Sequence, residues 1–367
     1  MGLLTGVTLI IALSSDMKNE SQTSSGIQTE MSSCLKTLGP VSSLSSDTVK
    51  FLRRKLCNKK AGSKLLVDPL EHPSTFWYAP VSESEKKPAP KRQNNSRNAT
   101  LTQLKKLSVV AAGCCKNVRK HLPRIRKHLE SFVSLFKEYK ILLGESDSTD
   151  GTLAYLENWA LNDINVVVQS YGNLSQVFLR RTVRLSYCRG SLLNYARIKL
   201  QFDQFQVYMA LDVDAINDND VLSQETFLSN FDYPLESWGA MSASQTHRYY
   251  DTWTIRSPTM NYDFQQEVYN EKRNGGDFDA AATRLMKVHW PPIPIDHDLV
   301  EMHSAFGGFT IYQTKYLQDC NYYGYDINND AINYEVCDHV IFNLCVTKNG
   351  GRIFINPRFQ NSKGLVN

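Results

Sequence analysis

Two carboxylates at the end of an apolar run are the residues best suited to chemistry. From residue 207 the sequence reads VYMALDVD, so Asp212 and Asp214 follow an apolar run with one residue between them. In open α/β sheets the ligand lies beyond the carboxyl ends of the strands, where this pair would stand. Carboxylates at this spacing suit Mg²⁺ or Mn²⁺, which can bridge diphosphate oxygens and neutralise the charge of a departing nucleotide. The pair therefore predicts a divalent-metal site.

A calcium loop or an ordinary polar turn could also place two aspartates at this spacing. An EF-hand calcium loop that began at Asp212 would place Ile216 at its fifth position and Asn217 where glycine is required, so the spacing excludes it. A polar turn after a strand stays open, because the Asp-x-Asp triplet is common in protein sequences.

A second acidic loop, GESDSTDGT, follows the apolar run at residues 140–143. Glu145 and Asp147 in this loop could accept hydrogen bonds from ribose hydroxyls or a base edge, whereas Asp150 is suited to capping the next helix. Because the carboxyl ends of parallel strands meet at one edge, the two acidic loops are expected to converge on one ligand.

Alternating strand and helix patterns would position these loops. Short β-branched or apolar runs predict strands at 107–112, 140–143, 164–168 and 207–211. Apolar residues at helical spacing predict helices at 118–136, 152–160 and 182–202. This order predicts an α/β fold with a mostly parallel central sheet and helices on both faces. An irregular, mixed C-terminal half is expected to follow, with a helix near 338–346 and a strand at 352–355.

Arginines on the predicted helix at 182–202 could bind a diphosphate, since a planar guanidinium bonds two phosphate oxygens at once. Arg184 and Arg189 lie five residues apart, which separates them by about 140° around a helix axis. At most one of them is therefore expected to face a phosphate.

Aromatic side chains beside a carboxylate predict an acceptor site at Tyr249, Tyr250, Asp251 and Trp253. Aromatic faces and carboxylates hold sugar rings and their hydroxyls, although core packing explains the aromatic residues nearly as well.

If the reaction is the transfer of a sugar to a hydroxyl, inversion of the anomeric centre would need a carboxylate to accept the proton of that hydroxyl. Asp338, Asp251 and Glu301 are the candidates for this base. A transfer that retains the configuration needs no separate base, and the sequence leaves both courses open.

Residues 107–361 resemble the GT-A glycosyltransferases, and within them the capsule-associated mannosyltransferases and related viral and microbial enzymes. The resemblance is carried, in order, by VVAAGCCKN, ESDSTDGT, RTVRLSYCRGSLLNYAR, YMALDVD, YYDTWTIR, SAFGGFTIY and CDHVIFNLCVTKNGGRIFINP. It implies a Rossmann-like GT-A fold and a donor bound through Mn²⁺ or Mg²⁺. The chain departs from the family pattern at Gly190, where Asn usually follows Arg, and at Asp338, where Glu is usual.

The same resemblance implies roles for individual residues. Glu145 and Asp147 would lie near the donor nucleoside, Asp212 near the ribose or the metal, and Asp214 on the metal. His339 looks like the C-terminal histidine that often completes the metal and diphosphate site, and a neutral imidazole can ligate Mn²⁺.

These observations predict a hexosyl- or pentosyltransferase that moves a sugar from a UDP- or GDP-sugar to a glycan or glycoconjugate hydroxyl. A sugar nucleotidyltransferase is the first alternative, but it should have a glycine-rich basic loop after the first strand, and GCCKN is a poor version of one. A non-catalytic secretory binding protein with the same fold is the second. The sequence lacks the GxGxxG and GxxxxGK[ST] motifs, which disfavours dinucleotide oxidoreductases and P-loop kinases.

Composition indicates the compartment and the domain plan. Residues 1–13 are predicted to be a signal peptide or signal anchor that could tether the chain to a membrane, 14–102 a low-complexity stem, and 103–367 the catalytic domain. A net charge of +4 is too small to predict a nucleic-acid partner. Eight cysteines and glycosylation sequons favour the secretory pathway, with the Golgi lumen as the expected site and the cytoplasm as the alternative. The sequons are at Asn19, Asn94, Asn98 and Asn173.

Overall fold

The computed structural model describes residues 87–93, 95–257, 263–285, 291–324 and 336–364. The predicted signal segment and most of the predicted stem lie outside these residues, as do Asn19, Asn94, Cys34 and Cys57. Within the described part of the chain, no helix has the length and apolar character needed to cross a membrane.

One sheet of eight strands organises the described residues. In chain order the strands are β1 (Ser108–Cys115), β2 (Glu138–Glu145), β3 (Val166–Ser170), β4 (Val207–Asp212), β5 (Ala240–Gln245), β6 (Val300–Met302), β7 (Phe309–Gln313) and β8 (Ile353–Ser362). Their order across the sheet is β3-β2-β1-β4-β7-β5-β8-β6. The pairs β1–β2, β2–β3, β1–β4 and β5–β8 are parallel, whereas β7 and β6 run antiparallel to their neighbours. The predicted α/β fold, with a parallel first half and a mixed second half, is confirmed.

Nine α-helices accompany the sheet within the described ranges. They are α1 (Arg97–Leu104), α2 (Leu122–Val133), α3 (Thr152–Asn162), α4 (Leu174–Val177), α5 (Arg181–Lys199), α6 (Gln224–Leu228), α7 (Phe264–Arg273), α8 (Phe278–Leu285) and α9 (Asp338–Lys348).

Strand β1 is buried on both faces. Successive side chains of a strand point to opposite sides of the sheet, so alternate residues of β1 belong to different core clusters. Val109 and Ala111 pack in one core cluster with residues of α2 and α3, whereas Val110 and Ala112 pack in a second cluster with residues of α5 and α9. Both faces of the sheet are therefore covered by helices, as the sequence predicts.

The bounds of several elements differ from the prediction, and in two of them a proline is involved. Helix α2 begins at Leu122 rather than at 118, because Pro123 lacks an N–H and fits only the first turn of a helix. Strand β8 continues to Ser362 and passes through Pro357, although proline normally ends a strand. The β5–β8 register shifts between Ser242 and Ser244, and this irregularity accommodates the proline.

The packed part of the chain also begins before residue 103. Helix α1 buries Thr100 and Leu104, and the Arg352 guanidinium donates hydrogen bonds to the carbonyls of Lys87 and Pro88. The last residues of the predicted stem therefore lie against the sheet.

Two disulfides are present among the described residues. Cys114–Cys188 joins β1 to α5, and Cys320–Cys345 joins the segment after β7 to α9. Cys115 and Cys337 are free thiols, and both are buried. The described cysteines therefore include both disulfide-bonded residues and buried free thiols.

The turn before β7 depends on two glycines. Gly307 and Gly308 have φ angles of 62° and 81°, in the left-handed region that favours glycine. A Cβ at residue 307 would lie 2.2 Å from the carbonyl oxygen of Ala243, so this position also requires glycine for space.

We expect Gly307→Ala to lower the free energy of unfolding by about 2 kcal/mol or more, because it adds both backbone strain and a clash. Gly190→Ala is the matched control, since a Cβ added at this position of helix α5 would meet nothing within 4 Å. The control should raise stability by about 0.5–1 kcal/mol. Urea unfolding of both variants tests this; equal stability of the two would contradict it.

Candidate functional site

The carboxyl ends of the parallel strands bring the predicted residues to one edge of the sheet. Asp212 ends β4 opposite Cys114 of β1, and Glu145 ends β2 opposite Cys115. Strand β5 runs in the same direction and leads from this edge towards Tyr250 and Asp251. The edge therefore gathers the two acidic loops and the predicted acceptor segment.

A buried arginine joins two of the carboxylates. The Nη1 atom of Arg189 donates to Oδ1 and Oδ2 of Asp338 at 2.8 and 2.7 Å, and its Nη2 atom donates to Oδ1 of Asp212 at 2.7 Å. The side chains of Arg189 and Asp338 are 9% and 3% exposed. Burial alone would lower the pKa of the Arg189 guanidinium. The carboxylates of Asp338 and Asp212 have the larger, opposite effect, so the pKa of Arg189 is raised. The guanidinium therefore stays charged and ties α5 to β4 and α9.

Asp212 lies among several charges. Burial raises the pKa of its carboxyl to about 7. The Arg189 guanidinium opposes this shift, whereas the carboxylates of Asp214 and Asp251 add to it. Arg189 therefore only partly offsets the combined effect of burial and of the two neighbouring carboxylates on Asp212.

The acceptor segment faces the same negative charge. Burial raises the pKa of the Asp251 carboxyl to about 6, although Arg189 and hydrogen bonds from Thr254 oppose the shift. The carboxylate of Asp212 is the main cause of a raised pKa at the Tyr250 hydroxyl, and burial adds to it. Tyr250 and Asp251 thus lie close enough to Asp212 at the end of β4 for charge to influence the pKa values there.

Asp212 and Asp214 each use one carboxylate oxygen in a hydrogen bond within the protein. Oδ1 of Asp214 accepts a hydrogen bond from the N–H of Ile216 at 3.0 Å. No hydrogen bond to Oδ2 of Asp212 or to Oδ2 of Asp214 is present within the described residues, whereas Oδ1 of Asp212 accepts from Arg189. Across that same part of the chain, no three His, Cys, Asp or Glu side chains cluster closely enough to hold a metal on their own.

His339 lies in a stack of aromatic rings. Its imidazole packs on Phe306 with centroids 3.5 Å apart and meets the edge of Tyr322. The ring is buried, and neither nitrogen has a hydrogen-bond partner among the described residues. Burial, with a smaller effect of Arg189, holds the pKa of His339 well below its usual range, so the imidazole is neutral. Metal ligation by His339 stays a prediction.

The predicted nucleoside residues have partners within the protein. Glu145 is buried, and its oxygens accept hydrogen bonds from the N–H of Ser148 and the hydroxyl of Ser170. Asp147 has a φ of 59° and accepts hydrogen bonds from Ser175 at the start of α4. Both residues shape the loop after β2, and contact with a nucleoside stays a prediction.

Asp150 has the capping role that the sequence predicts. Its Oδ1 accepts a hydrogen bond at 3.0 Å from the N–H of Thr152, the first residue of α3.

Three predicted residues lie apart from the cluster at the end of β4. Arg184 donates to the carbonyls of Phe178 and Leu179, both at 2.7 Å, and so fastens the segment before α5. Glu301 lies on β6, four positions from β4 in the sheet, and pairs with Arg352.

Trp253 packs against Cys337, Val340 and Leu344, and its indole N–H lies 3.2 Å from the carboxylate of Asp263. This contact supports the backbone that follows Asp251.

The three candidate bases differ in their surroundings. Both oxygens of Asp338 accept from the Arg189 guanidinium, and Glu301 lies at the far edge of the sheet. Asp251 is half-buried beside the carboxylate cluster. Of the three, Asp251 is thus the one that lies near Asp212 without an arginine bonded to both of its oxygens.

Sequence reasoning missed several residues at this edge. Arg181, the first residue of α5, is exposed, and its charge lowers the pKa of both Asp212 and Tyr250. Three buried amides, Asn217, Gln245 and Asn361, also lie there. Arg181 stands in the same basic segment as Arg184 and could have been found there, but nothing in the sequence distinguishes the amides.

No protein-family model matches the chain, and no curated protein matches it. It is similar to the solved structure of the mannosyltransferase PcManGT from Pyrobaculum calidifontis in complex with GDP-Man and Mn²⁺, with 12% identity, a TM-score of 0.41 and coverage of 80% of this chain and 65% of the other. It is also similar to S. aureus TarS in complex with UDP, with 13% identity, a TM-score of 0.34 and coverage of 68% and 57%.

A third similar structure is glucosyl-3-phosphoglycerate synthase from Mycobacterium tuberculosis with UDP, at 12% identity, a TM-score of 0.37 and coverage of 76% and 79%. The chain thus spans less than two thirds of the first two structures. These neighbours are GT-A-type glycosyltransferases, the family that the sequence resembles.

The raised pKa of Asp251 predicts how its charge affects stability. The carboxyl binds its proton more tightly in the folded protein, with a pKa of about 6, than in an unfolded chain, where the pKa is about 3.9. Its contribution to stability is therefore full below pH about 4 and is lost as the pH rises through about 6. Asp251→Asn should raise the free energy of unfolding at pH 8 by about 1–2 kcal/mol, and by less at pH 5.

Urea unfolding at the two pH values measures this difference. Asp220→Asn is the control, since that carboxylate is 96% exposed and its removal should change stability little at either pH. An Asp251→Asn protein that is less stable than the wild type at pH 8 would contradict the charge balance described above.

Proposed function

We propose that the chain is a divalent-metal-dependent glycosyltransferase that moves a sugar from a nucleotide-diphosphate sugar to a hydroxyl of a glycan or glycoconjugate. The observation that carries this proposal is the Asp212–Asp214 pair at the carboxyl edge of the sheet, where each carboxylate uses one oxygen in a hydrogen bond within the protein. Ligands of open α/β sheets bind at this edge.

The metal would be held by Asp214 and by the free oxygen of Asp212. Mg²⁺ is commonly bound by one or two carboxylates together with substrate phosphates, and that pattern suits a site with two free carboxylate oxygens. The bound cation would stabilise the negative charge of the departing diphosphate. His339 is retained as a proposed additional ligand, since its neutral imidazole has two nitrogens without partners among the described residues.

Two of the arginines of α5, Arg189 and Arg181, would have different tasks. Arg189 is already engaged by Asp212 and Asp338, so it would orient Asp212 instead of binding the donor. Arg181 is exposed at the first residue of the same helix, where main-chain N–H groups also favour anions. We therefore assign the contact with the diphosphate to Arg181.

Asp251 would act on the acceptor. A carboxyl with a pKa of about 6 is ionised at neutral pH and basic enough to accept a proton from a hydroxyl as the new bond forms. The Tyr250 hydroxyl lies near the carboxylate of Asp212, which raises its pKa, and Trp253 supports the backbone that follows Asp251. We propose an inverting transfer with Asp251 as the base, and these placements support that assignment.

A secretory-lumen location is part of the proposal. Disulfides persist mainly in oxidising compartments, and two are present in the described residues. Asn98 and Asn173, each in a glycosylation sequon, are exposed.

The first test measures hydrolysis and transfer with a panel of UDP- and GDP-sugars, with Mn²⁺ and with EDTA. We expect Mn²⁺-dependent nucleotide release with one donor, reduced by at least about 100-fold in Asp214→Asn, because the metal would lose its main carboxylate. Asp220→Asn is the matched control in the same loop, and it should keep wild-type activity, since its side chain is exposed and faces Arg124.

Folded protein that releases no nucleotide and binds none with Mn²⁺ across the panel would refute the transferase proposal. Retained activity in Asp214→Asn would instead refute the metal assignment.

A further inference from the structure

Three fully buried amide side chains lie beneath the site. Asn217 follows β4, Gln245 ends β5 and Asn361 lies near the end of β8. They come from positions up to 144 residues apart in the sequence. Burying an amide is unfavourable unless it is hydrogen-bonded, so each of the three amides must have hydrogen-bond partners.

The three amides form one continuous chain of hydrogen bonds. The N–H of Tyr250 donates to Oε1 of Gln245 at 2.7 Å, and Nε2 of Gln245 donates to Oδ1 of Asn361 at 2.9 Å. Nδ2 of Asn361 donates to Oδ1 of Asn217 at 2.9 Å, and Nδ2 of Asn217 donates to the main-chain carbonyl of Asp212 at 2.8 Å. All four bonds run in the same sense from Tyr250 to Asp212.

The remaining N–H of each amide is also used. Gln245 and Asn361 donate to the carbonyl of Gly307 at 3.0 and 2.9 Å, and Asn217 donates to the carbonyl of Gly308 at 2.8 Å. Each primary amide has two N–H donors, so all six are satisfied. Flipping any one amide would break several bonds, which leaves a single arrangement for the chain.

The two ends of this chain of hydrogen bonds lie at the two halves of the proposed site. One end holds the backbone of Asp212, two residues before Asp214, and the other holds the backbone of Tyr250, next to Asp251. Because all three linking side chains are neutral, they connect these halves without adding charge beside the carboxylates.

We propose that Asn217, Asn361 and Gln245 are positioning residues that fix the acceptor segment Tyr250–Asp251 relative to the metal-binding pair Asp212–Asp214. This inference rests on the proposed transferase function. Hydrogen bonds aligned head to tail polarise one another, so the loss of one link weakens the others and loosens the far end. A small error in the position of a base is enough to slow a reaction greatly.

The kinetic test uses Gln245→Met, which keeps the side-chain length and removes every polar contact of the amide. The donor that turns over in the panel is used for rates, and UDP and GDP with Mn²⁺ for binding. We expect kcat to fall at least about tenfold, while the Kd of the Mn²⁺–nucleotide complex stays within about threefold, because the metal side keeps its own ligands.

Gln313→Met is the matched control. Gln313 is also buried, and it also donates to two main-chain carbonyls, those of Leu235 and Trp238. It lies opposite Val207, the first residue of β4, at the opposite end of that strand from Asp212. It should lose stability without the selective loss of kcat. Equal kcat losses in the two variants would overturn the proposal.

Hydrogen exchange tests the chain independently of turnover. Asn361→Leu should speed exchange of the Tyr250 N–H by about tenfold, although Asn361 does not contact it, since the link through Gln245 is weakened. Asn356→Leu is the control on the same strand, because Asn356 is equally buried but bonds Ser229 and Asn230.

These results separate the two proposals. Equal exchange at Tyr250 in the two β8 variants overturns the amide chain, whatever the activity. Wild-type protein that neither binds Mn²⁺–nucleotide nor turns over refutes the transferase function, and the exchange result then still decides whether the chain positions Tyr250.

Discussion

The buried guanidinium of Arg189 is the constraint on which the rest of the site depends. It donates to Asp212 at the end of β4 and to Asp338 at the start of α9, so α5, the strand that follows it and a helix far along the sequence must meet around one charge. Removing one partner would leave an uncompensated buried charge, which is far costlier than losing a surface ion pair. The neighbouring disulfide Cys114–Cys188 fastens the same turn of α5 to β1. Gly144 makes room for that bond, since a Cβ there would lie 2.4 Å from Sγ of Cys188.

Around this ion pair lie the further carboxylates of Asp214 and Asp251. Burial raises the pKa of Asp212 to about 7 and that of Asp251 to about 6, so ionising either group at neutral pH lowers stability. Groups with such shifts occur often at functional sites, and under the proposed function a divalent cation with an anionic ligand would be the partner of these carboxylates. The neutral amide chain and the two left-handed glycines explain how the acidic edge stays ordered. They supply shape and hydrogen bonds but no further charge.

Much of the fold follows from local pattern. The parallel strands, the helices between them and the acidic loops after β2 and β4 are predicted, because apolar runs and helical spacing mark elements directly and strand direction then sets the functional edge. The pairing of Arg189 with Asp338 is not, because it joins residues 149 positions apart and depends on how α5 and α9 pack. The same holds for the amide chain. Arg184 shows what a residue type alone does not predict. An arginine is suited to binding a phosphate, but Arg184 donates instead to the main-chain carbonyls of Phe178 and Leu179.

The most direct test of the proposed metal site is an anomalous scattering map of crystals grown with Mn²⁺ and the nucleotide that the protein binds. We expect one manganese peak within about 2.5 Å of a carboxylate oxygen of Asp214, with Asp212 beside it and the Arg189 bonds to Asp212 and Asp338 intact. A nucleotide-bound structure with no manganese at Asp214, or with Arg189 turned away from Asp212 to hold the phosphates, would contradict that expectation.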